Sequence, residues 1–331
     1  MLSRRHLFTS AIGVAAGLAM PAIRGASAKS GQALRIGYIL PRQSQLGAGA
    51  SAFADEVSRR TGGRISIQQF PDASLGGDVE LLKGVQLGSI DLAFVTGMGL
   101  PSILPEAGVL NIPFLFRNIA QAHAVLDGAI GESFRARFAA KDLVMLGWGE
   151  NGLRHMTNAK HPIAVPDDLK GLRMRVPQSE VLLTGFQALG VEAASLPFPQ
   201  LFEALRAGKF DGQENPIATI QAAKFDQVQK FLTLSGHAYD PAVFLLTPDA
   251  HDELSAEDRT HFIEAARIGG NASRKFAADA EIAGVAALQQ AGMSVQSSID
   301  RARFASAMAA ANPEFEKRFG RDLIERIKQT G

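Results

Sequence analysis

The chain has 331 residues, 46% of them hydrophobic, and carries 34 lysines and arginines against 33 aspartates and glutamates. A formal charge of +1 excludes a strongly basic nucleic-acid surface, and the apolar content excludes a disordered chain. With no cysteine there are no disulfides, thiolate nucleophiles or Cys-based metal sites, and the length favours two lobes over one domain.

The N-terminus reads as an export signal. Ser3-Arg4-Arg5-His6-Leu7-Phe8 is basic, residues 11–20 are short and weakly apolar, and Ala26-Ser27-Ala28 is a small-x-small cleavage site. The paired arginines favour the twin-arginine route, with residues 1–28 removed near Ala28. The apolar stretch is too short for a permanent anchor, and no later stretch reaches transmembrane length without charges. The expected location is the periplasm. Cleavage would remove Arg4, Arg5 and Arg24 and no acid, leaving a formal charge of −2. Such a protein must gather positive charge locally to bind an anion.

Residues 34–40 predict a buried strand, and 48–61 a helix stopped at Thr61-Gly62-Gly63. Residues 65–70 alternate as a second strand. A helix follows Leu75-Gly76-Gly77-Asp78 through Leu87, then a short strand at 91–95. This βαβαβ order predicts a mostly parallel sheet. The proline-broken apolar stretch 101–116 reads as a packed connection. Helices near 119–126 and 130–140 and a strand at 144–148 follow. A second α/β unit begins near Asn151, with strands at 172–176, 193–196 and around 210–212, and helices at 180–189 and 200–207. Strands at 231–235 and 243–246 are expected to cross between lobes. Residues 256–291 read as one helix, long enough to lie across both. Helices at 301–311 and 313–328 close the chain. The expected fold is α/β and two-lobed, with lobe I at 29–151 plus about 240–279 and lobe II at 152–239 plus about 280–331. A ligand would occupy the cleft between them.

Two arginines on separate segments draw attention: Arg154 after Asn151-Gly152-Leu153, and Arg175 in Arg173-Met174-Arg175-Val176-Pro177. Guanidinium offers a rigid fork of donors that pairs bidentately with a carboxylate. Alternation puts Arg175 at a strand C-terminus, where Pro177 ends the strand. Asp211-Gly212-Gln213-Glu214-Asn215-Pro216 follows, and Asn215 before Pro216 reads as a helix N-cap that could also hold a ligand oxygen. Phe198, Trp148 and Tyr239 are candidate cleft walls, and Asn151 is a candidate substrate-binding residue. Gln43 and Glu80 are candidate partners for ligand hydroxyls. Each also has an ordinary reading as a core or surface residue.

Enzyme signals are poor. There is no Gly-x-Ser-x-Gly elbow or Walker loop, and Gly97-Met98-Gly99 lacks the third glycine of a dinucleotide fingerprint. The histidines show no metal spacing. No cofactor and no catalytic residue are expected, although Glu150 and Glu214 could in principle pair as acid and base.

The chain resembles the DctP-type substrate-binding proteins of tripartite ATP-independent periplasmic (TRAP) transporters. The resemblance rests on Phe70-Pro71-Asp72-Ala73-Ser74-Leu75-Gly76-Gly77, Gly84-Val85-Gln86-Leu87-Gly88-Ser89-Ile90-Asp91, Ile112-Pro113-Phe114-Leu115-Phe116-Arg117, residues 168–177 and residues 211–216. It implies that Arg175 pairs with the substrate carboxylate, that Arg154 and Asn215 assist, and that Phe198 lines the cleft. It also implies two partners, a small and a large integral membrane permease subunit. Gln200 and Phe202 depart from the Glu and Tyr of many relatives. The expected ligand is a small carboxylate. Gln43 and Glu80 tilt the reading toward a sugar acid such as a hexuronate or aldonate; C4-dicarboxylates and 2-oxo or 2-hydroxy acids are the alternatives. An exported carboxylate-modifying enzyme and a ligand-presenting sensor subunit are the competing classes.

Overall fold

Nine strands form one mixed sheet in the computed structural model of the chain, which describes residues 31–331. The expected signal segment and its cleavage site lie outside the described residues. The strands are β1 (Gln32–Gly37), β2 (Ile65–Phe70), β3 (Leu92–Thr96), β4 (Val144–Asn158), β5 (Arg173–Val176), β6 (Glu192–Ser195), β7 (Gly212–Pro216), β8 (Phe231–Leu246) and β9 (Ser294–Gln296). Their order is β2-β1-β3-β8-β4-β7-β5-β6, with β9 pairing β8.

The sheet has two parallel ends joined by an antiparallel bridge. At one end β1 pairs in parallel with β2 and β3. At the other, β5 pairs in parallel with β6 and β7. Between them β4 and β8 run antiparallel along most of their length. Parallel neighbours need crossover helices, so the chain winds through Gln45–Arg60 and Asp78–Gln86 at one end and Glu180–Ala188 and Leu201–Arg206 at the other. β3 is buried at every residue, as a covered parallel strand should be.

The apolar cores follow the same division. The largest gathers Ile36, Leu82, Phe94 and Phe244 with the flanking helices. Two smaller cores serve the second half of the chain, one around Met174 and Phe186 and the other around Leu201 and Phe225. The helix Ala256–Gln290 has 35 residues and is about 52 Å long at 1.5 Å per residue. It places Phe262 in the largest core and Leu288 in a smaller one, so a single rod braces both ends of the sheet.

Several boundaries differ from the sequence expectation. The strands expected at 144–148, 231–235 and 243–246 belong to two long strands of 15 and 16 residues. Their middles hold Gly, Asn, His and Asp, which break the apolar pattern. The strand expected to end near Gly212 is β7 and runs to Pro216. Asn215 is therefore a strand residue. Pro216 occupies the N-cap position of the helix Ile217–Ala222. The final expected helix is broken at Gly320, whose φ of 83° favours glycine.

The long helix approaches the sheet through small residues. A methyl group on Gly270 would lie 2.1 Å from the Trp148 carbonyl oxygen on β4. Backbone cannot yield as a flexible side chain can. Gly270→Ala should therefore cost about 1–3 kcal/mol, as overpacking does. Urea unfolding checks this, and an unchanged midpoint would show that the helix shifts away freely.

Candidate functional site

Where the two parallel ends meet the β4–β8 bridge, buried polar groups converge from six elements. Arg175 comes from the C-terminal end of β5, Asn151 and Arg154 from β4, Asn215 from β7, Thr219 from the helix Ile217–Ala222, Thr96 from β3 and Asp78 from the helix that starts there. With Ile39, Met98 and Phe198 they line one inner cavity.

A bulge makes this convergence possible. Asn151 and Arg154 are three residues apart, so plain alternation would put them on opposite faces. The pairing of β4 with β8 slips between Glu150 and Gly152, and Gly152 has φ 133°, a region that favours glycine. The slip turns both side chains into the cavity, while Leu153 faces a separate one.

The two arginines are treated differently. Arg154 is fully engaged by the protein. Its Nε and Nη2 donate to the Glu214 carboxylate, its Nη1 donates to Asp240 Oδ2 at 2.6 Å, and its Nη2 also reaches the Asn215 side-chain oxygen at 3.2 Å. Burial opposes its charge, but Glu214 and Asp240 outweigh that and raise its pKa. Burial also pushes Glu214 up, yet Arg154, with help from His237, holds it below the usual carboxylate range. His237 Nε2 lies 3.1 Å from Glu214, and burial keeps its imidazole pKa below the ordinary value.

Arg175 has no such partner. It is 1% exposed, and its Nε and Nη2 donate only to the Leu196 carbonyl, at 2.9 and 2.6 Å. Its Nη1 is buried with no acceptor among the described residues. Burial pushes its pKa down to about 9, only partly offset by Glu214, so it keeps its charge at neutral pH. A buried cation with a free donor aimed into a cavity is costly unless an anion completes it.

The opposite wall is acidic. Asp78 accepts from the Thr96 hydroxyl at 2.6 Å and from the Thr96 N–H at 3.1 Å. The residue is half-buried, with its carboxyl bonded to Thr96. Burial pushes it up to about 7; the Thr96 bonds and the Arg154 charge oppose this, and Asp240 adds to it. Asp240 is itself raised by burial to about 6, against the pull of Arg154. Gln45 closes the ring, donating to the Asn151 side chain at 2.6 Å and to Thr219 at 2.8 Å.

Of the residues singled out in the sequence, Arg175, Arg154, Asn215, Asn151 and Phe198 meet in this cavity. The others do not. Trp148 is 8% exposed, packs against Phe134 and donates to the Gly131 carbonyl, so it belongs to the core. Tyr239 donates to Glu150 at 3.1 Å and lines the separate cavity beside Phe116. Glu80 is exposed on the helix whose first residue, Asp78, is the acid that reaches the cavity. Gln43 is exposed in the outer cleft, two residues before the buried Gln45. Asp78 and Gln45 had no distinguishing signal beyond their place at or near a helix start. Among the described residues, no group of three or more His, Asp or Glu is placed to hold a metal ion.

The model of the bacterial extracellular solute-binding protein family 7, DctP, matches residues 36–318. The 2,3-diketo-L-gulonate-binding periplasmic protein of Escherichia coli is 34% identical over 282 residues, which are 85% of this chain and 86% of that protein. A TRAP periplasmic solute-binding protein from Polaromonas sp JS666, bound to D-erythronate, is 42% identical with a TM-score of 0.89, over 90% of this chain and 99% of that one. The sugar acid binding protein of Advenella mimigardefordensis, in complex with galactonate, is 34% identical with a TM-score of 0.87, over 91% of this chain and 97% of that one. The chain thus has the two-lobed α/β fold of these binding proteins and belongs to the DctP family of bacterial extracellular solute-binding proteins.

Proposed function

We propose that the protein is a periplasmic solute-binding protein that captures a small hydroxylated monocarboxylate and delivers it to the small and large membrane subunits of a TRAP permease. The observation that carries the reading is Arg175, buried and charged, with Nη1 lacking any protein acceptor. A carboxylate supplies what that group needs. Arg154 acts mainly as a positioning residue, because its donors are held by Glu214 and Asp240. Asn215 and Asn151 supply amides beside it, and Phe198 forms the wall shared by the inner cavity and the outer cleft.

Asp78 faces the far end of the ligand in this reading. It accepts hydroxyl protons and repels a second carboxylate, which favours a sugar acid over a C4-dicarboxylate. The relatives support the class: D-erythronate and galactonate are hydroxylated monocarboxylates. Binding and release need no bond to form or break, so the protein is read as a carrier and not an enzyme.

The lobes are read as 29–151 plus about 240–279, and 152–239 plus about 280–331, hinged in the middles of β4 and β8. The inner cavity is small, about 30 Å³, and adjoins an outer cleft of about 820 Å³. A four-carbon acid therefore enters only when the lobes part, and closure is driven by contacts made only in the closed form.

A thermal-shift screen of residues 29–331 against aldonates, uronates, 2-oxo acids, succinate and neutral sugars tests the class. Hydroxylated monocarboxylates should raise the melting temperature, and succinate should do less. Arg175→Ala should weaken binding by about 2–5 kcal/mol, and Arg175→Lys should also bind worse for lack of the fork. A response to neutral sugars alone, or near-native affinity in Arg175→Ala, would remove the carboxylate reading.

The two arginines should also separate in stability. Glu214→Ala leaves Arg154 buried without its main partner and should cost about 3–5 kcal/mol. Arg175→Met removes an unpaired buried charge and should leave the ligand-free protein as stable or more so. Urea unfolding without ligand compares them. A large loss in Arg175→Met would mean that this guanidinium serves the fold.

A further inference from the structure

We infer that Asp78 takes up a proton when the acid binds, so that capture of the ligand is linked to protonation of the opposite wall of the same cavity. This rests on the proposed carboxylate reading of Arg175 and adds to it a second determinant of selectivity.

The charge balance of the closed site carries the inference. Arg154 faces two fully buried carboxylates, Glu214 and Asp240, which leaves that set at −1. Arg175 supplies one further positive charge, and a bound carboxylate neutralises it. Asp78 then brings the occupied site to −2, and it is the acid with no cation of its own. It forms no ion pair among the described residues, and its only hydrogen-bond donors there are the N–H and hydroxyl of Thr96. The charged groups that face it are Asp240 from β8, Arg154 from β4 and Arg175 from β5. The first repels it, the second is already engaged, and the third is claimed by the ligand.

Geometry lets Asp78 become neutral without breaking its contacts. Thr96 Oγ1 lies 2.6 Å from Asp78 Oδ2, and a hydroxyl both donates and accepts. A proton from solvent adds to Oδ2, the hydrogen bond reverses direction, and Oδ1 continues to accept the Thr96 N–H. No bond to the ligand forms or breaks. Asp240 is less suited, because its Oδ2 is held by both Arg154 and Asn151, and its buried Oδ1 has no hydrogen-bond partner among the described residues to receive a proton.

The sign follows. Without ligand, Asp78 titrates near 7. A ligand carboxylate nearby raises that value. Binding therefore takes up a proton above the ligand-free value, and affinity is highest below it. As pH rises from about 7 the dissociation constant should increase, by up to about tenfold per pH unit for one linked proton. An acid with hydroxyls at its far end can still bond the neutral carboxyl. A dicarboxylate would add charge where a proton is already needed.

Isothermal calorimetry of residues 29–331 with D-erythronate, or whichever acid the screen returns, at pH 8 in phosphate and in Tris buffer tests this. The heat should differ between the buffers by an amount that corresponds to uptake of up to about one proton per acid. Asp78→Asn should abolish the difference and flatten affinity between pH 6 and 9, whatever its absolute affinity. Thr96→Val removes a donor to the ionised carboxyl and should move the onset of affinity loss to higher pH. Equal heats in the two buffers for the wild type would overturn the linkage while leaving carboxylate capture intact. Undiminished uptake in Asp78→Asn would assign the proton to another group and overturn it as well. Failure of every acid to bind would sink the reading of the site, and the linkage with it.

Discussion

The ion pairs between Arg154 and the carboxylates of Glu214 and Asp240 are the interaction on which the site depends. The guanidinium sits on β4, one acid on β7 and the other on β8, so one buried set pins three adjacent strands in register. Such a set is costly to desolvate and gives little net stability over apolar packing, but removing one partner is severe. Its value here is positional. It holds Asn151 and Asn215 against the cavity, and it leaves Arg175 as the one guanidinium there not committed to a protein carboxylate.

The contrast between the two arginines shows how residue type and role come apart. Both are almost completely buried and both line the same cavity. One spends its donors on the protein, and the other on a single backbone carbonyl. The first raises its own pKa through its partners. The second is pushed down because it has none. In the proposed reading frustration of this kind is tolerated because a ligand relieves it. The same logic extends to Asp78, an acid with neutral donors only.

Much of the fold was readable because it rests on period and punctuation. The opening βαβαβ run, the long helix and the packed proline-rich connection all express hydrophobic periodicity and chain breakers. The crossing strands β4 and β8 were read as fragments. Their middles carry Glu150, Asn151, His237 and Asp240, residues that no strand pattern favours; Asn151 lines the cavity, and Asp240 and His237 bond Arg154 and Glu214. The same logic hid Asn215 in β7. Two of the aromatic candidates lie outside the cavity for another reason: Trp148 and Tyr239 have the size and amphipathic character of a cleft wall, yet their polar tips are satisfied by Gly131 and Glu150 elsewhere.

By itself the sequence determined the family of the protein and the residue types of its candidate site, because motifs and residue types are local properties. It specified two arginines, an Asp-Gly-Gln-Glu-Asn-Pro segment and a family resemblance over most of the chain. Only the tertiary structure decided which arginine is free, which acid faces it, and which side of a bulged strand each residue occupies. Those outcomes depend on a one-residue slip at Gly152 and on charges brought together from β4, β7 and β8, far apart in sequence. Register and long-range electrostatics are set by packing, and no pattern along the chain records them.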